Sequence, residues 1–238
     1  MADFQDTFYR CFIEDNRWRY LTRGLGNTLL ITFFALLIGV ALGLVVAIVR
    51  TSWDKNREDM RPGPGRTLLC AANAVCRVYL TVIRGTPVVV QLLLGVFVIL
   101  VALGNDVVIA CLVFGINSGA YVAEIIRSGI MSIDNGQFEA GRSLGFNYIQ
   151  TMRYIIIPQA FKNVLPALAN EFIVLLKETS VAGYAGVIDL TKGGEIIRGR
   201  TFEAFLPLIA VAAIYLVMVM FFTWLVGRLE RRLRSSER

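Results

Sequence analysis

The chain predicts an all-α polytopic membrane protein: five transmembrane helices, with a cytoplasmic loop of short helices between the third and the fourth. Three observations carry this. Of its 238 residues 56% are hydrophobic and only 18% are charged, where a soluble domain has about 25% charged residues. Four stretches hold no charge at all: Gly24 to Val49 (26 residues), Gly85 to Asn105 (21), Val107 to Ala123 (17) and Ala204 to Gly227 (24). A helix needs about 20 apolar residues to cross the hydrocarbon core, with about 17 as the lower limit. Lys and Arg, finally, gather at the ends of these runs, where they fix orientation.

Taken in order, residues 1–23 mix Asp3, Asp6, Glu14 and Asp15 with Arg10, Arg17 and Arg19 and offer no small-residue cleavage site. They read as an extracytoplasmic segment and not a signal peptide. The first span lies between Arg23 and Arg50 and contains Gly39 and Gly43, a G-x-x-x-G that permits close helix approach. Arg50 to Arg66 is polar and ends in RPGPGR, a loop. Residues 67–83 are apolar except for Arg77 and meet the next run across Arg84-Gly85-Thr86-Pro87. So short a connector favours an interfacial element at 67–83 and a span over 88–104; a further span at 67–83 is the alternative.

Gly104-Asn105-Asp106 turns the chain into the third span, and residues 128–162 become polar and mixed. The fourth span falls at about 167–188, although NEFIVLLKETS (170–180) carries Glu171, Lys177 and Glu178. A charged loop over 189–203 precedes the last span at 204–226. The plan is therefore an outer segment (1–23), a transmembrane body (24–227, with the loop at 128–162) and a basic tail (228–238). With the N-terminus outside, 14 cations fall on inner loops, among them Arg61 and Arg238, and seven on outer ones. That excess predicts a plasma-membrane protein with a cytoplasmic C-terminus.

Other function classes recede. The net charge of +6 sits at span ends, so it does not point to nucleic acid. Cys11, Cys70, Cys76 and Cys111 are scattered and histidine is absent, which argues against zinc or haem and against His-based acid/base catalysis. Neither G-x-S-x-G nor the phosphate-binding G-x-x-x-x-G-K-[ST] occurs. No catalytic residues or cofactor are expected in this chain.

The cytoplasmic segment reads EAGRSLGFNYIQTMRYIIIPQAF from Glu139. Asn135-Gly136 signals a turn, Gln137 to Leu144 suits a short helix ended by Gly145, Asn147 with Gln150 suits a capping box, and Pro158 is expected to interrupt the helix that follows. This segment resembles the signature of the membrane-spanning subunit of ABC importers: E-A-A, three residues, G, nine residues, then I-x-L-P. Here it is Glu139-Ala140-Gly141, Gly145, then Ile155 to Pro158, with Gly141 for Ala and Ile157 for Leu. RGTPVVVQL (84–92), NSGAYVAE (117–124), the LLKETS region and the basic tail are similar to the polar amino-acid branch of that family.

The resemblance implies a type I importer permease that carries a polar amino acid and pairs with a second permease subunit, the same or different. It implies two ATP-binding cassette subunits, which would hold ATP and Mg, and an extracytoplasmic binding protein that delivers the cargo. Glu139, Ala140, Gly141, Arg142 and Gly145 would form the coupling helix that docks on the ATPase, against the plainer reading of an interfacial helix. A stand-alone ion-coupled transporter or channel using the buried carboxylates is the alternative.

An ionised carboxylate at the centre of a span costs ~2.5–3.5 kcal/mol, so such groups pair or face a cavity. A span starting near Ala167 would put Glu178 close to the midplane, where transporters bind substrate. Glu178 is thus either a structural ion-pair partner or, as the resemblance favours, a substrate contact. Lys177 reads as a structural pair with a neighbouring helix, and Glu171 as undecided between gate and coupling region. Asn117, Ser118 and Tyr121 offer donors and acceptors to an amino acid, or else bond across helices; Thr86 and Gln91 are weaker candidates, and Glu124 is unassigned.

Overall fold

The computed structural model describes residues 4–57, 60 and 62–235. Arg61 and Arg238 lie outside them. Among the described residues the backbone is helical nearly throughout, with no strand. The α-helices are Phe4–Phe8 (α1), Trp18–Asn56 (α2), Pro64–Gly85 (α3), Val88–Leu94 (α4), Asp106–Met131 (α5), Asn135–Ser143 (α6), Tyr148–Thr151 (α7), Ile157–Glu178 (α8), Leu190–Thr201 (α9) and Phe205–Ser235 (α10). Four stretches among the described residues are long and apolar enough to cross a membrane: Trp18–Lys55, Pro64–Gly85, Asp106–Met131 and Phe205–Arg232.

This differs from the expected spans in three places. The segment at 67–83, expected as an interfacial element with a further span as the alternative, lies in one unbroken 22-residue helix, α3, long and apolar enough to cross a membrane. Pro64 suits its first turn, and extended backbone at Thr86 and Pro87 ends it. The region 88–104, expected as one span, is instead broken into α4, a π turn at Gly95–Ile99 and a 3-10 turn at Val101–Leu103. Gly95 is needed there because a Cβ would stand 2.5 Å from Val113. The third difference is α8, which begins ten residues before Ala167 and stops at Glu178, with a 3-10 segment at Thr179–Ala185 beyond it. Glu178 is therefore a helix-end residue and not the middle of a helix over 167–188.

Pro158 does not interrupt its helix either. A π turn at Met152–Ile156 directly precedes it, and the wider loop accommodates the missing N–H and the ring, so α7 runs on into α8.

The chain divides into two compact units. The first takes residues up to Leu37, Pro87–Gly115 and Phe172–Leu225. Its main core closes around Ile31, Leu92, Ile109, Phe114 and Leu175, all essentially inaccessible. A second cluster joins Cys11, Phe12, Leu21, Leu190, Ile197 and Val211. Asp189 caps α9 by accepting the Thr191 and Lys192 N–H groups, each at 3.0 Å, while Asn27 Nδ2 donates to the Ile188 carbonyl at 2.8 Å. Burial pushes the Asp189 carboxyl above the usual carboxylate range, against those hydrogen bonds, which hold it down.

The second unit takes Ile38–Thr86, Ile116–Glu171 and the chain from Val226. Here Gly39 and Gly43 do what the G-x-x-x-G spacing allows: Cβ atoms would stand 3.0 Å from Ser118 Oγ and 2.7 Å from Val122. That close approach lies within this chain, between α2 and α5. Val122, Ile126, Ile130, Phe138, Ile156 and Ala160 form the unit's core, joining α5 to the short helices after it.

Candidate functional site

Within the second unit, polar groups concentrate on one part of α5. Asn117, Tyr121 and Glu124 follow at spacings of four and three and share a face, with Ser118 about 100° round. Ser118 and Asn117 are buried. The Ser118 hydroxyl donates to Glu171 Oε1 at 2.9 Å, and Glu171 is itself buried. The residue whose role the sequence left undecided is therefore bonded to one expected to meet the cargo.

A chain of charges continues from Glu124. Arg127 donates to Glu124 Oε1 at 2.6 Å and faces Asp54 at 3.6 Å. Arg84 reaches the other Glu124 oxygen at only 4.0 Å and lies over the Tyr121 ring, 5.6 Å from its centroid. Both partners of this longer pair are more than a third exposed, and such a pair contributes about 0–1 kcal/mol. Glu124 is held firmly on one side and loosely on the other. A wide-open surface depression of about 420 Å³ lined by Leu80, Thr81, Arg84, Gly85 and Tyr121 lies at the loose end.

The remaining predicted residues divide. Tyr121 is exposed at the depression. Thr86 is exposed, and its hydroxyl donates to the Val82 carbonyl of its own helix at 2.9 Å. Glu178 belongs to the first unit, half-buried at the end of α8. Lys177 is exposed. Sequence reasoning read Arg84 only as part of the connector before Pro87, counted Arg127 among the inner cations and gave Asp54 no role. The available signal was the position of Arg84 between two apolar runs, next to Pro87.

The cytoplasmic segment is a built protrusion. Asp134 caps α6 through the Gly136 N–H at 2.6 Å, and Asn147 and Gln150 form the expected capping box of α7. Gly145 takes φ +80°, a left-handed turn that stops α6. Gly141 is buried, and a Cβ there would meet Thr151 at 2.7 Å, so this glycine serves packing against α7. Glu139, Ala140 and Arg142 stay exposed. Lys55 donates to Asn135 at 3.1 Å and lies over the Phe138 ring, tying α6 to the end of α2.

Known proteins give an independent view. The family described as binding-protein-dependent transport system inner membrane component matches residues 71–235. The glutamine transport system permease protein GlnP of Escherichia coli K12 is 37% identical over 221 residues, 90% of this chain and 93% of that protein. The arginine transport system permease protein ArtQ of Bacillus subtilis is 35% identical over 92% of this chain and 94% of its own length. A crystal structure of an amino acid ABC transporter with histidines superposes with a TM-score of 0.80 at 41% identity, covering 98% of this chain and 99% of that one. The methionine ABC transporter MetNI in an inward-facing form shares the fold, with a TM-score of 0.73 at 20% identity over 91% of this chain.

Proposed function

The chain belongs to the family of binding-protein-dependent transport system inner membrane components, and from that premise we propose that it forms the pathway for a polar amino acid in an ATP-driven importer. It is the permease subunit of an ABC transporter, a multi-pass membrane protein, and ATP hydrolysis resides in a separate subunit. In the proposed assembly two ATPase subunits bind below a pair of permeases, which are this chain twice or this chain with a similar one. A binding protein delivers cargo on the other side. The N-terminus lies outside and the C-terminus in the cytoplasm, so the exposed Glu139, Ala140 and Arg142, with the turn at Gly145 and the packing of Gly141, present α6 to the ATPase.

The observation that carries the cargo reading is the loose Arg84–Glu124 pair beside the depression at Tyr121. An amino acid brings one carboxylate and one ammonium. Arg84 is placed to take the carboxylate in exchange for Glu124, stacked on Tyr121, and the freed Glu124 is placed to take the ammonium. Ser118 and Asn117, with Glu171 behind Ser118, offer a second set of polar groups on the same helix. That glutamine and arginine permeases are the relatives favours a cargo with a polar side chain. Glu178 is proposed as a further contact for a cationic group, and Thr86 as an acceptor.

Reconstitution tests this directly. Proteoliposomes holding the permease and its ATPase should take up labelled glutamine or arginine only with ATP inside and binding protein outside. Uptake driven by an ion gradient without any ATPase subunit would instead support the stand-alone transporter.

A further inference from the structure

We propose that residues 4–13, together with the end of α9, form an aromatic collar that lies in the membrane–water interface and anchors this face of the first unit in lipid. The segment is α1 followed by a π turn at Tyr9–Ile13. One side of it is fixed to protein: Cys11 and Phe12 are buried in the cluster with Leu21, Leu190, Ile197 and Val211. The other side exposes Phe4, Phe8, Tyr9 and Ile13. Phe4, Phe8 and Phe12 follow one another along the segment, with ring centroids 6.5 and 5.0 Å apart.

Its depth can be read from the contacts it makes. Arg10 donates to the Thr201 carbonyl at 3.4 Å, and Cys11 Sγ lies 4.0 Å from Thr201 Oγ1. Thr201 is three residues ahead of the charge-free run that starts at Ala204, so it marks the level at which α10 enters the hydrocarbon. Aromatic side chains from a second segment stand at that same level. Phe202 is 95% exposed with φ +55°, and Phe205 is exposed as well. A bare Phe in a left-handed turn is poorly placed in water, whereas rings at headgroup depth are a usual feature of membrane proteins.

Beyond Ile13 the chain becomes charged, and three of these charges are paired with one another. Arg17 pairs with Glu14 at 2.8 Å and Asp15 at 2.9 Å and also donates to the Arg10 carbonyl. The chain thus changes from aromatic to charged just before Trp18, itself exposed, opens the first long apolar helix. Further along that helix, beyond the exposed Arg19, Thr22 and Arg23, the side chains of Leu30, Phe33 and Phe34 are exposed as well. Lipid is the occupant implied by the exposed Phe202 and Phe205 at the start of the charge-free run from Ala204. The inference depends on neither the cargo nor the side of the membrane on which the N-terminus lies.

The test is site-directed spin labelling of the assembled transporter in phosphatidylcholine–phosphatidylglycerol nanodiscs. Cys70→Ser and Cys76→Ser remove the accessible native thiols, and nitroxides are placed through Phe4→Cys, Phe8→Cys, Phe202→Cys and, as the aqueous control, Glu14→Cys. At the three aromatic sites, collision with oxygen relative to a water-soluble nickel chelate should exceed the control value several-fold. Values equal to the control overturn the proposal. So does protection at positions 4, 8 and 202 that appears only when the binding protein is added, because the aromatic surface would then be a protein docking site.

Discussion

The two compact units both have apolar cores and differ in what their polar groups do. In the first, the centre is apolar: Phe114, Ile31, Leu92, Ile109 and Leu175 are sealed from solvent, and its buried polar groups serve backbone ends, as Asp189 does for α9. In the second, side-chain charges link helices, running from Asp54 through Arg127 and Glu124 to Arg84, with Ser118 on Glu171 beside them. Apolar packing fixes a shape once and resists change, whereas ion pairs of uneven strength can exchange partners with a ligand. The second unit is thus the one we propose to respond to cargo.

The sharpest way to break this comparison is to open a hole in the first core. Phe114→Ala should destabilise the folded chain by about 3–5 kcal/mol, read as a fall in thermal unfolding temperature in detergent. A similar fall after any single charge removal in the second unit would erase the contrast.

A smaller effect is expected at Asp189. Asp189→Ala removes the cap of α9 and should cost about 1–2 kcal/mol, whereas Asp189→Asn keeps an acceptor and should be neutral or stabilising at pH 7. The sign follows from burial. A carboxyl whose pKa rises on folding adds stability below its unfolded value and loses that contribution as pH climbs through the folded one. The difference between the Asp and Asn forms should accordingly shrink on acidification in a pH series of melting temperatures.

Least change in stability is expected from Arg127→Met, because Arg127, Asp54 and Glu124 are all partly exposed. A loss of about 1 kcal/mol or less is expected, diminishing in high salt. Uptake should suffer more than stability, since the substitution frees Glu124 on its firmly held side. Equal uptake with a large loss of stability would make the charge chain structural.

Much of this was legible in the sequence for physical reasons. Charge-free runs mark the long helices because lipid tolerates no unpaired charge. The turn at Gly145 and the capping box at Asn147 and Gln150 are local chemistry, and local chemistry is written in adjacent residues. What escaped depends on tertiary context. Pro158 looked like a stop because the π turn that absorbs it has no signature of its own. Only packing shows Thr151 against Gly141. At the candidate site, Ser118 and Tyr121 stood out as polar residues in an apolar run. Arg84 did not, since a cation at the end of such a run is ordinary until its place over Tyr121 is known.

The central claim is that cargo is met by the charged groups of the second unit, and one measurement tests it most directly. Binding-protein-dependent uptake by Arg84→Gln proteoliposomes should be compared with wild type, alongside basal ATPase activity as the check on assembly. Losing one charge-assisted hydrogen bond of about 1.5–3 kcal/mol predicts uptake at limiting cargo lowered by about 10- to 100-fold, with basal ATPase activity retained. Wild-type uptake by Arg84→Gln would contradict the account.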